Sequence, residues 1–283
     1  AGSADGSYSL WYFSQMTPSR LTPVKQVTVS ETPLRRVLLD GRDGELLLSV
    51  SRTPAPLLLF AETGRVAREF AKGDRYVMDA RRTVGHTDAI MSVVWNTEDN
   101  TGFVTGGADG TVRFWSTTEE SEIGKSLKVH VVGQRQRATP NAMGKRLVVG
   151  SLAWRNPDEL LFGVDDGSIR ILDTRQHSRE SAVAVIPAIN AEDSTISSLL
   201  TADDNIICRR ADGVYLFDIR QPETALAMRS APMAHSETIM RWSPDRQTVI
   251  VPVNHHKRDG IHGAVEFLRA ADLKPAAAPV QVD

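Results

Sequence analysis

One segment, residues 85–116, constrains the fold more than any other because it contains three short strand patterns separated by turns. It opens with Gly85-His86, and an apolar run follows from residue 89 to residue 95. A second strand pattern spans residues 102–107, and an Ala-Asp-Gly turn then leads into Thr111-Val112-Arg113-Phe114-Trp115. β-Branched and aromatic residues alternate in this last run at the period of a β-strand. The segment therefore predicts one antiparallel sheet with short, Gly-containing turns.

The closing strand of this segment recurs along the chain, which indicates an internal repeat. Asp166-Gly167-Ser168-Ile169 and Asp212-Gly213-Val214-Tyr215 repeat its Asp-Gly turn and the strand that follows. The closing strands end in large residues that lie 45 to 57 positions apart: Trp11, Phe60, Trp115, Leu172, Phe217 and Phe267. Short strands in a long repeat are typical of a β-propeller, so we expect an all-β fold of four-stranded antiparallel blades. The pattern accounts for about five full blades and a fragment.

We assign residues 4–272 to this propeller and place the remaining segments outside its strands. Two polar stretches, residues 117–143 and 177–193, are predicted to be long connections, and residues 252–262 a loop between two strands. Residues 273–283 are rich in Pro and Ala, a linker composition, so we expect a C-terminal tail there. No segment has a convincing helical period, and we expect little helix.

Composition argues against several classes of function. No run of about eighteen apolar residues occurs, so the sequence predicts no membrane-spanning helix. The formal net charge is −2, which is not the strongly basic balance of a nucleic-acid-binding domain. The single cysteine, Cys208, rules out a disulfide framework within the chain and indicates a reducing compartment. It lies in an apolar run, and we expect it to be buried rather than reactive.

The run Lys72-Gly73-Asp74-Arg75-Tyr76-Val77-Met78-Asp79, followed by Gly85-His86-Thr87, resembles the lead into a repeat of the WD repeat-containing protein 70 family, the gastrulation-defective homologues. Later segments are similar to the same family, among them Leu216-Phe217-Asp218-Ile219-Arg220-Gln221 and Arg241-Trp242-Ser243-Pro244-Asp245. The resemblance covers residues 5–272. It implies a WD40-type propeller, seven-bladed when complete, so blades are expected to be missing from this chain or to be completed by a partner.

The resemblance also implies a function. It implies a nuclear, non-catalytic scaffold for protein–protein interactions within a large ribonucleoprotein or chromatin-associated assembly, as a component of the spliceosome. The alternative is a substrate receptor of a cullin-RING ubiquitin ligase that acts in chromatin and the DNA-damage response. The expected partners are spliceosomal proteins or a ligase adaptor, with indirect or backbone contact to RNA left open. Neither cofactor, metal, membrane nor small-molecule substrate is expected.

Four residues of the clearest repeat, His86, Thr105, Asp109 and Trp115, fit the hydrogen-bonded tetrad of WD repeats. Their imidazole, hydroxyl, carboxylate and indole N–H can satisfy one another where an unpaired polar group would be costly. His, Thr and Asp also occur in hydrolase triads, but no nucleophile elbow or oxyanion loop accompanies them here. We therefore predict a structural role for the tetrad and no catalytic residue in the chain.

Four basic residues are candidate partner contacts. Leu172-Asp173-Thr174-Arg175 and Phe217-Asp218-Ile219-Arg220 resemble the Trp-Asp-x-Arg box of ligase receptors, in which the Arg contacts the adaptor, although both segments lack the Trp. The alternative is a local ion pair of Asp with Arg175 or Arg220. Lys257 and Arg258 lie in a His-rich segment that either forms a basic loop or contacts a phosphate or an acidic partner. Its histidines lack supporting Cys or carboxylate ligands, so no metal site is predicted.

Overall fold

The structure is a computed structural model that describes residues 2–17, 22–40, 44–96, 101–118, 124–133, 146–176, 182–187, 195–232, 238–257 and 260–282. These residues form β-strands and two three-residue 3₁₀ turns, Phe13–Gln15 and Ala80–Arg82. The chain divides into two compact units, Ala1–Val148 and Val149–Asp283. Among the described residues, no helix has the length and apolar character needed to cross a bilayer.

The first unit contains a two-stranded sheet and two four-stranded sheets, all antiparallel. The two-stranded sheet pairs β1 (Ser7–Leu10) with β2 (Lys25–Thr28). The next sheet runs in chain order through β3 (Leu34–Leu39), β4 (Leu46–Ser51), β5 (Leu57–Phe60) and β6 (Val66–Glu69). The third contains β7 (Ile90–Trp95), β8 (Gly102–Gly107), β9 (Thr111–Ser116) and β10 (Lys128–Val131).

The second unit contains three more four-stranded antiparallel sheets in chain order. They are β11 (Val149–Asn156), β12 (Glu159–Val164), β13 (Ile169–Asp173) and β14 (Val183–Ile186); β15 (Ser198–Ala202), β16 (Asn205–Arg209), β17 (Gly213–Asp218) and β18 (Ala227–Ser230); and β19 (Arg241–Trp242), β20 (Thr248–Lys257), β21 (Gly260–Arg269) and β22 (Pro275–Val282). Five four-stranded blades and a two-stranded fragment result, and the predicted all-β, β-propeller fold class is confirmed.

The core lies between neighbouring sheets within each unit. In the first unit, Leu48 and Val50 of β4 and Leu58 of β5 pack against Ile90 and Trp115 of the following sheet. In the second unit, side chains of β16, β17, β20 and β21 form a comparable cluster. Alternating inward residues of the middle strands supply these clusters, because side chains point to opposite faces of a strand at successive positions.

The structure corrects the predicted connections in two places. The fourth strands β10 and β14 lie inside the stretches 117–143 and 177–193, which were predicted to be long polar connections. The predicted loop at 252–262 is the continuation of β20 and β21, whose register pairs Val253 with Ala264 and Lys257 with Gly260. Backbone pairing along the whole hairpin replaces the expected irregular segment.

The expected C-terminal tail is also wrong. Pro275–Val282 forms β22, the fourth strand of the last sheet, and pairs with β21 at Gly263–Val282 and Val265–Val280. Proline is compatible with this position because β22 has a ladder on one side only, and an edge strand tolerates residues that lack an N–H donor. The Pro/Ala composition therefore marks an edge strand here and not a linker.

Candidate functional site

The site begins with four side chains that the third sheet brings together. Thr105 lies on β8, Trp115 on β9 and Asp109 in the turn that joins these strands, while His86 precedes β7. All four are buried. Because positions two apart on a strand share a face, Thr111, Arg113 and Trp115 all point from β9 towards the same interior.

The four side chains form a continuous chain of hydrogen bonds. The indole N–H of Trp115 donates to Thr105 Oγ1 at 2.7 Å, and Thr105 Oγ1 lies 2.7 Å from His86 Nε2. His86 Nδ1 lies 3.0 Å from Asp109 Oδ1. Since the Thr105 oxygen accepts from the indole, its own hydrogen is available to His86 Nε2, which leaves Nδ1 as the nitrogen that donates to Asp109. Every donor in the chain thus has an acceptor.

Electrostatics favour a neutral imidazole beside an ionised carboxylate. Burial lowers the pKa of His86, and the opposing hydrogen bond and charge interaction with Asp109 do not restore it. Burial alone would raise the pKa of Asp109, but the hydrogen bonds and charge interaction from His86, with bonds from Thr87 and Thr111, outweigh it and lower the pKa to about 2. Asp109 accepts from Thr87 N–H at 2.9 Å and from the Thr111 hydroxyl at 2.7 Å. It therefore serves as a fixed anion under the turn.

This arrangement cannot act as a hydrolase triad on an external substrate. His86 and Thr105 have no exposed surface, and Asp109 is nearly as buried. The Thr105 hydroxyl is already bonded to Trp115 and His86, so it has no path to a substrate carbonyl. The hydrogen-bonded side chains instead support the fold, because a fully satisfied buried network holds the neighbouring backbone in a fixed geometry.

Arg113, which the sequence interpretation did not select, extends this support to the segment before β7. Its side chain is fully buried, and burial lowers the pKa of its guanidinium to about 10. Nη1 donates to the Thr83 carbonyl at 2.9 Å and to Ser126 Oγ at 3.0 Å, while Nη2 donates to the Ala80 carbonyl at 2.8 Å and to Thr83 Oγ1. Nε donates to Thr111 Oγ1 at 3.2 Å. All five N–H positions of the guanidinium are therefore used.

Through its hydrogen bonds to Ala80 and Thr83, Arg113 fixes the end of a loop formed by residues 73–85, which we call the 73–85 loop. Its two ends cross in close contact: Gly73 N–H donates to the His86 carbonyl at 2.7 Å. A Cβ added at Gly73 would lie 2.2 Å from the Gly85 carbonyl oxygen, and one added at Gly85 would lie 1.9 Å from the Ala71 carbonyl oxygen. Only glycine allows this approach of backbones.

The tip of the 73–85 loop is shaped by two aspartates. Asp74 accepts from the Tyr76 N–H at 2.9 Å, and Asp79 accepts from the Arg81 N–H at 3.0 Å, where it caps the Ala80–Arg82 turn. Between these caps, Tyr76 is 86% exposed and Met78 is 87% exposed. Large apolar side chains so fully exposed on a fixed loop are typical of contact surfaces.

The base of the 73–85 loop adjoins a cavity of about 500 Å³ lined in part by Lys72, Arg75 and Thr87. From residue 72 to residue 82 the sequence holds four basic and two acidic residues, so this region carries a local positive charge on a chain whose formal net charge is −2. The loop thus combines an aromatic residue, a methionine and arginines, the residue types that are enriched at protein interfaces.

The Asp-Gly turn below the tetrad recurs in two other sheets with the same hydrogen bonds. The Ser168 N–H and hydroxyl donate to Asp166 Oδ1 at 2.9 and 2.6 Å. The Ser7 N–H and hydroxyl donate to Asp5 Oδ1 at the same two distances. In the sheet of Asp166 the tetrad is incomplete, because Leu172 occupies the position that corresponds to Trp115. The turn is thus the shared unit, and the tetrad belongs to one blade.

The two candidate adaptor contacts lie at equivalent positions just after β13 and β17. Arg175 is bonded to Asp173 at 3.0 Å and lies 3.5 Å from Asp158. Arg220 is bonded to Asp204. Both side chains stay largely exposed, at 68% and 72%. The ion pair within the Asp-x-Arg segment, which was the alternative to adaptor contact, is therefore present for Arg175, whereas the Arg220 side chain pairs with Asp204, outside its segment. Both arginine side chains also remain accessible to a partner.

The remaining predicted residues lie at the far end of the β20–β21 hairpin or in the core. Lys257 is the last residue of β20, whereas Arg258 lies outside the described residues. Where the structure describes the chain, no group of three or more His, Cys, Asp or Glu side chains is placed to hold a metal ion. Cys208 is buried, and burial raises the pKa of its thiol to about 12, as expected of an unreactive cysteine.

Comparison with known proteins adds family information. Residues 79–116 match the family model described as "WD domain, G-beta repeat". The chain is 28% identical to the Gastrulation defective protein 1 homolog of Drosophila melanogaster over 62% of the chain and 25% of that protein. It is 27% identical to WD repeat-containing protein 70 of Xenopus tropicalis, over 94% of the chain and 41% of that protein. The human protein of that name is 24% identical over 61% of the chain and 25% of its own length. The chain thus spans less than half the length of these relatives.

Proposed function

Because this chain belongs to the WD repeat-containing protein 70 family of WD40-repeat β-propellers, we propose that it is a non-catalytic scaffold for protein–protein interactions and that the 73–85 loop is its principal contact surface. The observation that carries the proposal is that the 73–85 loop presents two almost fully exposed side chains, Tyr76 and Met78. The ends of this loop are fixed by the hydrogen bonds of Arg113 and by the close approach of the backbone at Gly73 and Gly85. A loop that is ordered before binding loses little conformational entropy when a partner docks.

The chemistry of the 73–85 loop defines the kind of partner it fits. Tyr76 and Met78 offer apolar surface, and the same loop carries the exposed arginines Arg75, Arg81 and Arg82, of which Arg82 lies 3.8 Å from Asp79. A complementary surface has an apolar depression with acidic residues at its rim, since opposite charge at the rim steers association and fixes register. Tyrosine and arginine are also the residue types most often found to dominate binding energy.

We further propose that the scaffold acts in the nucleus as a component of the spliceosome. This proposal draws on the resemblance of residues 71–79 to the family's lead into its Gly-His repeat, a segment that includes the first part of the 73–85 loop. In this setting we expect RNA contacts to be indirect or limited to the backbone, because a formal net charge of −2 is not the strongly basic balance of a nucleic-acid-binding domain.

The alternative proposal is a substrate receptor of a cullin-RING ubiquitin ligase in chromatin and the DNA-damage response. The specific observation in its favour is that Arg175 and Arg220 occupy the same position after the third strand of two successive blades and that both side chains are largely exposed. Adaptor binding through these residues would exchange their local carboxylate partners, Asp173 and Asp204, for groups on the adaptor.

The test is affinity purification of the protein from nuclear extract, with and without RNase, read by mass spectrometry. We expect the recovery of the main partners to fall about tenfold or more in the double variant Tyr76→Ala/Met78→Ala, because each side chain is a candidate hot spot. The matched control is Leu226→Ala/Met228→Ala, which removes two exposed apolar side chains of the second unit. If both double variants keep all partners, the loop is not the contact surface.

The same experiment separates the two assemblies. Recovery of late spliceosomal proteins that depends on Tyr76 and Met78 supports the first proposal, and sensitivity to RNase would place RNA in that complex. Recovery of a cullin and its adaptor, resistant to nuclease and abolished by Arg220→Ala, supports the second. Arg246→Ala is a suitable control for Arg220→Ala because it removes an arginine outside the two Asp-x-Arg segments.

A further inference from the structure

A second cavity of the first unit has a lining unlike that of the 73–85 loop. It has a volume of about 860 Å³ and lies where the end of β1 meets the turn between β3 and β4 and the turn between β5 and β6. Its lining includes three aromatic and two acidic side chains: Trp11, Tyr12, Phe60, Glu45 and Glu62. We call it the acidic aromatic groove. Its volume is within the range of ligand-binding clefts.

The aromatic wall of the groove is open to solvent. Tyr12 is 39% exposed and Phe60 is 36% exposed, while Trp11 is half-buried. The face of an aromatic ring carries negative potential and attracts a cation within about 6 Å of its centroid. This attraction is already used on one ring, because the guanidinium carbon of Arg65 lies 5.1 Å from the centroid of Phe60.

The acidic wall is joined to the aromatic wall by a hydrogen bond. The Tyr12 hydroxyl donates to Glu62 Oε1 at 2.8 Å. This bond raises the pKa of Tyr12 above its usual value, so the phenol stays protonated and acts as the donor. Glu45 lies on the same cavity wall and is exposed. Among the described residues of the lining, the acidic side chains of Glu45 and Glu62 outnumber the one basic side chain, that of Arg65.

We propose that the acidic aromatic groove binds the cationic side chain of a lysine presented by a partner polypeptide. The ammonium group lies against the ring faces of Trp11 and Tyr12 and pairs with Glu62, and the alkyl chain contacts the apolar part of the lining, including Leu39. Methylation of that lysine leaves the charge in place and makes it easier to desolvate, so trimethyl-lysine fits the ring faces as well. Acetylation removes the charge and therefore the attraction of the lysine side chain to the aromatic rings and to Glu62. The proposal does not depend on the 73–85 loop, which shares no residue with the groove.

The test uses three short peptides of one sequence that carry lysine, trimethyl-lysine or acetyl-lysine at the same position. Binding is followed by the indole ¹H–¹⁵N signal of Trp11, identified by its loss in Trp11→Phe, and affinity is obtained from the titration. We expect the charged peptides to shift this signal and to bind at least about fivefold more tightly than the acetyl-lysine peptide, an effect of the size of one exposed charge interaction. Raising the salt concentration should weaken binding of the charged peptides.

A matched pair of variants locates the effect. Glu62→Gln keeps the shape of the side chain but removes its charge, and we expect it to weaken binding of both charged peptides at least about threefold. Glu31→Gln, an exposed glutamate of the same unit outside the groove, should leave binding unchanged. Equal binding of the acetyl-lysine peptide, no shift of the Trp11 signal with any peptide, or identical behaviour of Glu62→Gln and the parent protein would overturn the proposal.

Discussion

Two fully buried arginines of this protein have opposite hydrogen-bonding situations. Arg113 uses all five donor positions on Thr83, Ala80, Ser126 and Thr111. Arg209 donates from Nη2 to the Ala231 carbonyl at 3.2 Å, whereas its Nε and Nη1 have no partner within the described part of the chain. Burial lowers the pKa of both guanidinium groups to about 10, so both remain charged at neutral pH. Their contributions to stability should therefore differ in sign.

Replacing each arginine by methionine measures this difference. We expect Arg113→Met to lower the free energy of unfolding by about 2–4 kcal/mol, since it leaves the Thr83 carbonyl buried without its donor and removes one of the hydrogen bonds to the Ala80 carbonyl. Arg209→Met should be neutral or stabilising by about 1–3 kcal/mol, because it removes a poorly satisfied buried charge and keeps the volume. Urea unfolding followed by circular dichroism provides both values. Equal destabilisation by the two substitutions would mean that Arg209 has partners beyond the described residues.

The tetrad predicts a loss of stability on the acid side. Burial lowers the pKa of His86 below 6.5, so as pH falls below about 6.5 the unfolded chain takes up a proton that the folded chain does not. Asp109, with a pKa of about 2 in place of 3.8, adds a second loss from about pH 4 downwards. The Asp109 part amounts to about 2 kcal/mol at neutral pH, from the difference between those two values.

The measurement is the free energy of unfolding at several pH values between 7.5 and 4 for the parent protein and for His86→Gln. The parent should lose stability steadily from pH 6.5 to pH 5, and His86→Gln should be less stable at pH 7.5 but flatter across that interval. The other histidines are common to both proteins, so the difference between the two curves isolates His86. Parallel curves would show that His86 titrates alike in the folded and unfolded chain.

At the residue scale, the sequence was informative about the tetrad and uninformative about Arg113. His86, Thr105, Asp109 and Trp115 have complementary polar groups at positions that a strand–turn–strand unit brings together, so their meeting follows from local chemistry. Arg113 was overlooked because a lone arginine in a strand is normally solvent-exposed. The available signal was its alternation with Thr111 and Trp115, which places it on the same inward face.

At the scale of strands, the middle strands of each blade were predictable and the outer strands were not. β8 and β12 are buried over most of their length and read as apolar runs between turns. The outer strands β6 and β18 are mostly exposed, and the side chains of β22 that the structure describes are exposed throughout, so they lack an apolar alternation. They are held by backbone hydrogen bonds to one neighbouring strand. Because these bonds do not depend on the side chains, no residue pattern in the sequence predicts them.

The outer half of the β20–β21 hairpin was not predicted from the sequence, for a related reason. Its outer half has the polar run His255-His256-Lys257, which suggested a loop. The two strands nevertheless stay in register from Thr248–Arg269 to Lys257–Gly260. A ladder that starts in a buried core segment can extend into polar residues, because each further pair adds backbone hydrogen bonds without requiring burial.

At the scale of the whole molecule, the fold class and the number of blades followed from the repeat, because each turn and closing strand specifies one sheet independently of the others. The contact surfaces did not follow in the same way. The exposure of Tyr76 and Met78, and the contacts of Gly73, Gly85 and Arg113 that fix the loop carrying them, are visible only in the structure. Likewise, Trp11 and Glu62 are far apart in sequence and line one groove only because the first two sheets pack against each other. Sites made by tertiary contacts have no local pattern to read.

The same contrast between inner and outer strands predicts a gradient of hydrogen exchange across the molecule. Amides of β8 and β9 should exchange most slowly, because β8 is buried at every residue and the tetrad joins both strands to the segment before β7. β1 and β2 should exchange much faster, since a two-stranded sheet has little stability of its own, and so should β22 with its exposed side chains.

Peptide-level exchange read by mass spectrometry tests this order, and Thr105→Val identifies its cause. Removing the Thr105 hydroxyl leaves the Trp115 indole N–H and the His86 Nε2 without partners, so exchange in residues 102–116 should accelerate while that of β12 and β13 changes less. If β22 were as protected as β8, the outer strands would owe their stability to more than one ladder, and the account of why sequence fails to reveal them would be wrong. If Thr105→Val left residues 102–116 unchanged, the slow exchange there would come from apolar packing alone and not from the tetrad.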